Sequence, residues 1–280
     1  MDMDWAKTKN IFIMLFFLLN VFLSIILIYT LNGNNITKDT IDDARQALAE
    51  RGVAIICDIP DFNGSVGTLT YHDAGFDKKK VIENLLGDKK SSENLARLPN
   101  IKYEDKELSF PDQYSFVFRD GSPERTLHDL NSAENVLNLV SNMLKGTGVP
   151  VTDYHLDTVE EEGNLKTYVF KQKYKGFWIH ENHITVGLSD KGIAYLEVRY
   201  RKINGIINSK KIMPVYQVLI HHHDSIRNIT ITRIDLGFKE HKMEDGSREL
   251  DDIPVWRIEY KNQGKKQNKF FKAYDGTEIE

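Results

Sequence analysis

One cysteine in 280 residues, Cys57, excludes an intrachain disulfide, so the chain must hold its core without covalent staples. That thiol lies in the apolar run Val53-Ala54-Ile55-Ile56-Cys57, which reads as a buried strand. A thiol in apolar company packs as a small hydrophobe and is inert as a nucleophile. Strong net charge is lacking too: the total is −4, and the basic runs Lys78-Lys79-Lys80 and Lys265-Lys266 are short and in polar company. Without a basic stripe to neutralise phosphates, DNA and RNA are not expected partners. Also missing are a Gly-rich phosphate loop, a Gly-x-Ser-x-Gly elbow and a Ser-x-x-Lys pair.

The widest gap is in charge. No residue between Lys9 and Lys38 is charged, and Ile11 to Tyr29 is apolar except for Asn20 and Ser24. At about 1.5 Å per residue those 19 positions reach ~28 Å, close to the ~30 Å hydrocarbon thickness of a bilayer, so a transmembrane helix is expected over residues 11–31. The run is longer than the apolar region of a cleaved signal peptide, and Ile28-Tyr29-Thr30-Leu31-Asn32 offers no Ala-x-Ala-like cleavage site. Lys7 and Lys9 precede the helix, whereas no positive charge follows it through Thr37. Short cytoplasmic flanks are enriched in Lys and Arg, so residues 1–10 are expected in the cytoplasm and the C-terminal part outside the cell membrane. Trp5 and Tyr29 lie near the two headgroup regions, where amphipathic rings are favoured.

About 245 residues follow the anchor, and 41% hydrophobic with 28% charged residues is an ordinary globular composition, so this part should bury a core. The pattern divides it into two α+β units, each an antiparallel sheet with helices on one face. The first, 36–125, opens with a helix over Thr37 to Glu50, in which Ile41, Ala44 and Leu48 share a face. A strand over Val53 to Asp58, one at Gly67 to Tyr71, a helix near Asp77 to Leu86 and short strands at Ile101, Glu107 and Tyr114 follow. The second, 126–280, begins with a helix at Ser132 to Lys145 whose apolar face is Val136, Leu139, Val140 and Met143. Period-two alternation then marks strands at 153–161, 165–174, 180–188 and 193–200, joined by turn-grade linkers and therefore an antiparallel meander. A helix over Val215 to Ile226 starts behind Pro214, and strands near 229–239, 254–260 and 269–274 close the chain.

Metal and acid–base chemistry find little support. His221-His222-His223 would point about 100° apart on a helix, whereas a chelating pair there needs i, i+4 spacing. Val215, Val218, Leu219, His222 and Ile226 form an apolar stripe, so His222 is expected half-buried and its neighbours exposed. His180 and His183 on one strand fall on opposite faces and are expected as hairpin residues. Glu160-Glu161-Glu162 and Asp251-Asp252 lie in turns, where carboxylates are solvated. No catalytic residue, metal or cofactor is expected, and the chain is read as a non-enzyme.

Asn20 and Ser24 stand at i, i+4 on one face of the anchor, near the bilayer midplane. Polar side chains in hydrocarbon seek partners and small residues allow close approach, so the face Ile13, Phe17, Asn20, Ser24 and Leu27 is the candidate contact for another transmembrane helix. The alternative is that Ser24 bonds its own backbone and Asn20 is tolerated.

The order of several short motifs resembles the YycI family, membrane-anchored regulators of the YycFG (WalRK) two-component system in Gram-positive bacteria. These are Met3-Asp4-Trp5 with Lys7-Thr8-Lys9 and Ile11-Phe12-Ile13, then Asp58-Ile59-Pro60, Tyr174-Lys175-Gly176, Pro254-Val255-Trp256-Arg257-Ile258 and Ala273-Tyr274-Asp275-Gly276. The resemblance begins at Met3, which makes initiation there an alternative to Met1. It implies a single-pass regulator that acts with YycH on the sensor histidine kinase YycG (WalK), which controls cell-wall metabolism, through transmembrane and ectodomain contacts. The second unit is also similar in outline to YycH-like and PepSY-like modules, which implies an alternative role in holding a peptide or wall polymer, with a groove near Phe177, Trp178 and Tyr195.

Overall fold

The computed structural model describes residues 5–32, 38–87, 92–123, 132–242, 248–262 and 264–279. The boundary expected at 125 and 126 and the Thr37 cap lie outside these, as do the side chains of Trp5 and Tyr29. Helix α1, Trp5–Asn32, contains the expected span, and no part of its apolar window Lys9–Leu27 is buried inside the structure.

The rest is mixed α+β with one large, mainly antiparallel sheet. Helix α2, Lys38–Glu50, turns Ala44 and Leu48 inward. Strand β1, Ala54–Ile55, is followed by β2, Ser65–Tyr71, and α3, Lys78–Leu86. Asp77 caps α3 by accepting from the Lys79 and Lys80 N–H groups at 3.0 and 3.2 Å. A short helix α4, Ser92–Leu95, leads to strands β3, Asn100–Tyr103, β4, Lys106–Asp112, and β5, Ser115–Asp120. Helix α5, Ala133–Met143, is capped by the Ser132 hydroxyl and buries Val136 and Val140. Strands β6, Tyr154–Glu162, β7, Leu165–Tyr174, β8, Phe177–Ser189, and β9, Gly192–Arg199, pair in succession as the expected meander. Strand β10, Ile203–Lys211, precedes helix α6, Val215–His221, and strands β11, Thr230–Lys242, β12, Arg248–Asn262, β13, Lys265–Lys272, and β14, Glu278–Ile279, complete the chain.

Several details depart from the sequence pattern. Among them are Glu160-Glu161-Glu162 and Asp251-Asp252, expected in solvated turns but placed in strands β6 and β12, with Asp252 buried against Arg201 because that cation pairs with it. The strand expected over Val53 to Asp58 shrinks to β1, because regular pairing with β11 covers Ala54 and Ile55 and ends where the Ile56 N–H donates to the Ile231 carbonyl. Beyond them the Arg45 guanidinium takes the Ile55 and Cys57 carbonyls at 2.5 and 2.9 Å, leaving Cys57 half-buried and Ile56 exposed. Burial still pushes the Cys57 thiol up, which keeps it unreactive. The helix expected to reach Ile226 stops at His221, where Ser225 bonds back to His222 and a turn begins. Strand β10 lies in a Gly- and Asn-containing stretch with no clean alternation. Pairing with β2 creates it, at two irregular registers, and Gly67 lets the backbones meet, since a Cβ there would lie 1.9 Å from the Ile207 oxygen.

Two hydrophobic cores result. One packs α3 and α5 against β3, β4, β5, β7, β8 and β9; the other packs α2 and α6 against β2, β11, β12 and β13. Strand β8 supplies both, with Ile179 in the second core and Ile184 and Val186 in the first. Strands β5 and β9 pair, as do β2 and β12, so sequence from both sides of residue 125 shares the sheet.

Candidate functional site

Helix α1, which fits a single-pass membrane anchor, presents the five residues of its expected contact face in the open. Ile13, Phe17 and Leu27 are 57%, 67% and 59% exposed, and Asn20 and Ser24 are exposed as well. The Asn20 amide donates to the Phe16 carbonyl at 2.8 Å, and the Ser24 hydroxyl donates to the Asn20 carbonyl at 2.8 Å. Each therefore satisfies one donor within its own turn. An amide has two N–H groups and a carbonyl, so Asn20 keeps hydrogen-bonding capacity for a neighbour, and the Ser24 oxygen keeps its acceptor lone pairs.

In the globular part the chemistry gathers on the sheet face opposite α2 and α6. Alternation along β12 sends Trp256 and Ile258 into the helix-covered core and Arg257 to the other face. Arg257 is 1% exposed. Its Nε and Nη2 grip the Asp235 carboxylate of β11 at 3.0 and 2.7 Å, a bidentate pair, and its Nη1 donates to Asp157 at 2.8 Å. A register shift between Leu156 and Thr158 makes Asp157 the extra residue of a β-bulge, which aims it inward. Arg233 binds both carboxylates, at 2.8 Å to Asp157 and 2.9 Å to Asp235, and Lys171 lies 3.3 Å from Asp157. Trp178 floors the cluster, with Lys173 Nζ, Arg233 Cζ and Arg257 Cζ at 4.2, 4.7 and 5.6 Å from its ring centroid.

Burial alone would push Asp157 up, but Arg257, Lys171 and Arg233 outweigh it and hold the carboxyl below its ordinary range. Burial drives Lys171 the other way, downward. A second buried cluster joins four strands. The Arg201 guanidinium donates to Asp252 at 2.6 Å and stacks on Tyr71, whose hydroxyl donates to the same carboxylate at 2.6 Å. Asn182 of β8 accepts from the Arg201 backbone N–H and donates to the Arg201 carbonyl and to Gln172, as a substitute for strand pairing. Every carboxylate named here is already engaged by a cation. The arrangement fastens strands together and leaves none of these acids standing as a general base.

Solved structures share this outline at low identity. They are an uncharacterized protein from Eubacterium rectale ATCC 33656 (14% identity, 85% of this chain and 98% of that one, TM-score 0.45), the C-terminal domain of Bacillus megaterium YpeB (11%, 72% and 94%, 0.41) and YycH from Bacillus subtilis (15%, 75% and 53%, 0.44). The chain thus spans about half the length of that YycH, and none of the three likenesses decides function. No curated protein matches. The YycI protein family, by contrast, matches residues 31–274. The chain belongs to the YycI family. YycI proteins are regulatory accessory proteins associated with the YycFG two-component system. The match begins at the end of α1, so the anchor is an observation separate from the family.

Of the motifs that carried the YycI resemblance, Tyr174-Lys175-Gly176 and Ala273-Tyr274-Asp275-Gly276 sit at turns and Pro254-Val255-Trp256-Arg257-Ile258 lies within β12. Lys175 and Gly176 both have positive φ, 50° and 88°, as a tight two-residue hairpin between β7 and β8 requires. Trp256 of β12 donates its indole N–H to the Met213 carbonyl at 2.8 Å, and Arg257 centres the charged cluster. Gly276 turns the chain after β13 and offers its carbonyl to His222 at 2.7 Å.

Of the three consecutive histidines, His221 and His222 follow their packing expectations and His223 does not. His222 is half-buried against Phe271, with 4.8 Å between ring centroids, and His221 is exposed; His223, expected exposed, is half-buried through its bond to Ile220. Among the described residues no group of three or more His, Cys, Asp or Glu is placed to hold a metal. His180 departs from the bland reading: it is buried, and neither ring nitrogen has a hydrogen-bond partner. Phe177, Trp178 and Tyr195 do not line one groove. Phe177 packs on the helix-covered core, Trp178 lies on the opposite face, and Tyr195 lies against Gly187 with its hydroxyl 3.2 Å from Thr167. Asp157 and Arg257 were missed as a pair because a bulge, invisible in local pattern, brings them together.

Proposed function

We propose that this YycI-family chain is a single-pass accessory subunit that holds the sensor histidine kinase YycG (WalK), together with YycH, through the exposed face of α1 and through its extracytoplasmic domain, and so adjusts signalling to cell-wall metabolism. The observation that carries this is a membrane-length helix with polar capacity on one face and, among the described residues, no burial of its apolar window. The Lys7 and Lys9 flank supports a cytoplasmic N-terminus. Such a subunit shifts the kinase by binding one of its states better than the other, and a few kcal/mol of differential contact suffices.

The test is co-purification from membranes. Full-length chain is expected to bring down YycG and YycH, and a chain whose residues 11–31 are replaced by an unrelated apolar helix is expected to lose the kinase. Equal recovery of the kinase by both chains would remove the helix from the proposal.

A further inference from the structure

His180 stands on the charged face and takes no part in the fastening described above. It sits on β8 where that strand leaves the second core for the first. Strands β8 and β11 pair there over two positions alone, Trp178 with Gly237 and Ile179 with Phe238. Gly237 is required by this crossing, since a Cβ on it would fall 2.5 Å from the Trp178 oxygen and 2.6 Å from His180 Nε2. On its other side the imidazole meets the Phe270 ring of β13 edge-on, with centroids 5.0 Å apart. The ring is therefore wedged between a backbone and an aromatic, 5% exposed, with both nitrogens unpartnered.

The charged groups that weigh on it most are cations. Lys171 of β7, Arg233 and Lys239 of β11 and Arg257 of β12 all act against a positive imidazole, and burial acts against it more strongly still. The carboxylates within the same cluster, Asp157 of β6 and Asp235 of β11, are held by Arg257 and Arg233. Glu259, further along β12, bonds Thr232 and faces Lys266. A proton on His180 thus has no acceptor unless an existing ion pair breaks or the ring leaves its wedge.

We propose that the β8–β11 crossing is an acid-released latch, in which protonation of His180 expels the ring from between Gly237 and Phe270 and parts Trp178 and Ile179 from Gly237 and Phe238. The latch gives the domain two states that differ in proton count, which is what control of a conformational equilibrium needs. It rests on the geometry of the globular part and goes beyond the role proposed for α1. One proton taken up on opening changes the opening equilibrium by up to about tenfold per pH unit below the ordinary histidine value of ~6.5.

Hydrogen exchange on the full-length chain in nanodiscs, corrected for the intrinsic pH dependence of amide exchange, tests this. Between pH 7.5 and 5.0 the amides of residues 177–180 and 237–239 are expected to open at least tenfold more often, while those of β4 and β5 stay constant. His180→Phe, which keeps a ring in the wedge and removes the proton site, is expected to abolish the difference. Imidazole proton resonances of the unmodified chain provide a measurement that needs no variant: the latched His180 ring is expected to stay neutral well below the ordinary histidine value of ~6.5. Seam exchange that does not respond to pH, an unchanged response in His180→Phe, or a His180 resonance that titrates near 6.5 would each overturn the latch.

Discussion

Helix α1, which fits a single-pass membrane anchor, and the charged face of the sheet satisfy their polar groups in opposite ways. On α1 the Asn20 and Ser24 side chains bond to carbonyls four residues earlier, so the helix is complete by itself and its face is unspent. On the sheet, Arg257 of β12 is satisfied only by Asp235 of β11 and Asp157 of β6, so those strands cannot separate without exposing or stranding a charge. Local satisfaction frees a surface for a partner; satisfaction across elements locks a fold. In this chain the first pattern is found on α1 and the second on the charged face of the sheet.

The sharpest way to break this contrast is to strand the charges. Arg257→Met keeps the length of the side chain and leaves Asp157 and Asp235 buried without their central cation, and removing one partner of a buried pair costs about 3–5 kcal/mol. Urea unfolding of the globular part is expected to show a loss of that size, with the exchange protection of α1 unchanged. A loss under 1 kcal/mol would mean that Arg233 and Lys171 suffice. Gly237→Ala attacks the same region by volume, because the new Cβ meets the Trp178 carbonyl oxygen, a backbone atom that cannot rotate away. Overpacking of this kind costs about 1–3 kcal/mol, and thermal unfolding is the measurement.

Acid separates the two regions again. Asp157 is held below its ordinary value by the cations around it, so its pairing stabilises the fold above about pH 4 and is lost as pH falls through the lower folded value. His180 is buried neutral, with burial as the main cause, so its contribution is present above about 6.5 and declines below it. Both therefore weaken the globular part on acidification, by at most about 1.4 kcal/mol per pH unit per group, His180 first and Asp157 later. The charge-free stretch of α1 has nothing to titrate. Unfolding curves at pH 7.5, 5.5 and 3.5 are expected to show two stages of loss in the globular part while α1 keeps its exchange protection.

What was legible in the sequence followed from local periodicity. The charge-free window gave α1, the i, i+3, i+7 spacing gave α2 and α5, and alternation between turn-grade linkers gave the β6 to β9 meander. What escaped depends on distant strands. Strand β10 has no alternation of its own and exists because β2 pairs with it. The parallel crossing of β8 and β11 depends on Gly237, which in sequence is a lone glycine inside a strand pattern. Asp157 reads as one more surface acid of a β-strand until the bulge after Leu156 turns it toward Arg257, one hundred residues later. His180 looked like a hairpin residue because Lys171, Arg233 and Arg257 converge on it only after folding.

The smallest expected effect concerns the free surface itself. If α1 is complete alone, then Asn20→Leu should leave both the helix and the globular part as stable as before, since the lost bond to Phe16 is one side-chain contact beside an intact backbone ladder. What it removes is the remaining N–H and carbonyl of the amide, which have no partner among the described residues and are open to a neighbouring helix. Interhelical hydrogen bonds in membranes average about 0.6 kcal/mol and reach ~2, so association with the kinase helix should weaken between about threefold and thirtyfold. Site-specific crosslinking from Ser24 positions reports this directly, and Ile26→Ala, off the proposed face, serves as its control. Asn20→Leu crosslinking equal to that of the unmodified chain would mean that the amide does no more than bond its own turn, and the contrast between the two regions would then be one of solvent alone.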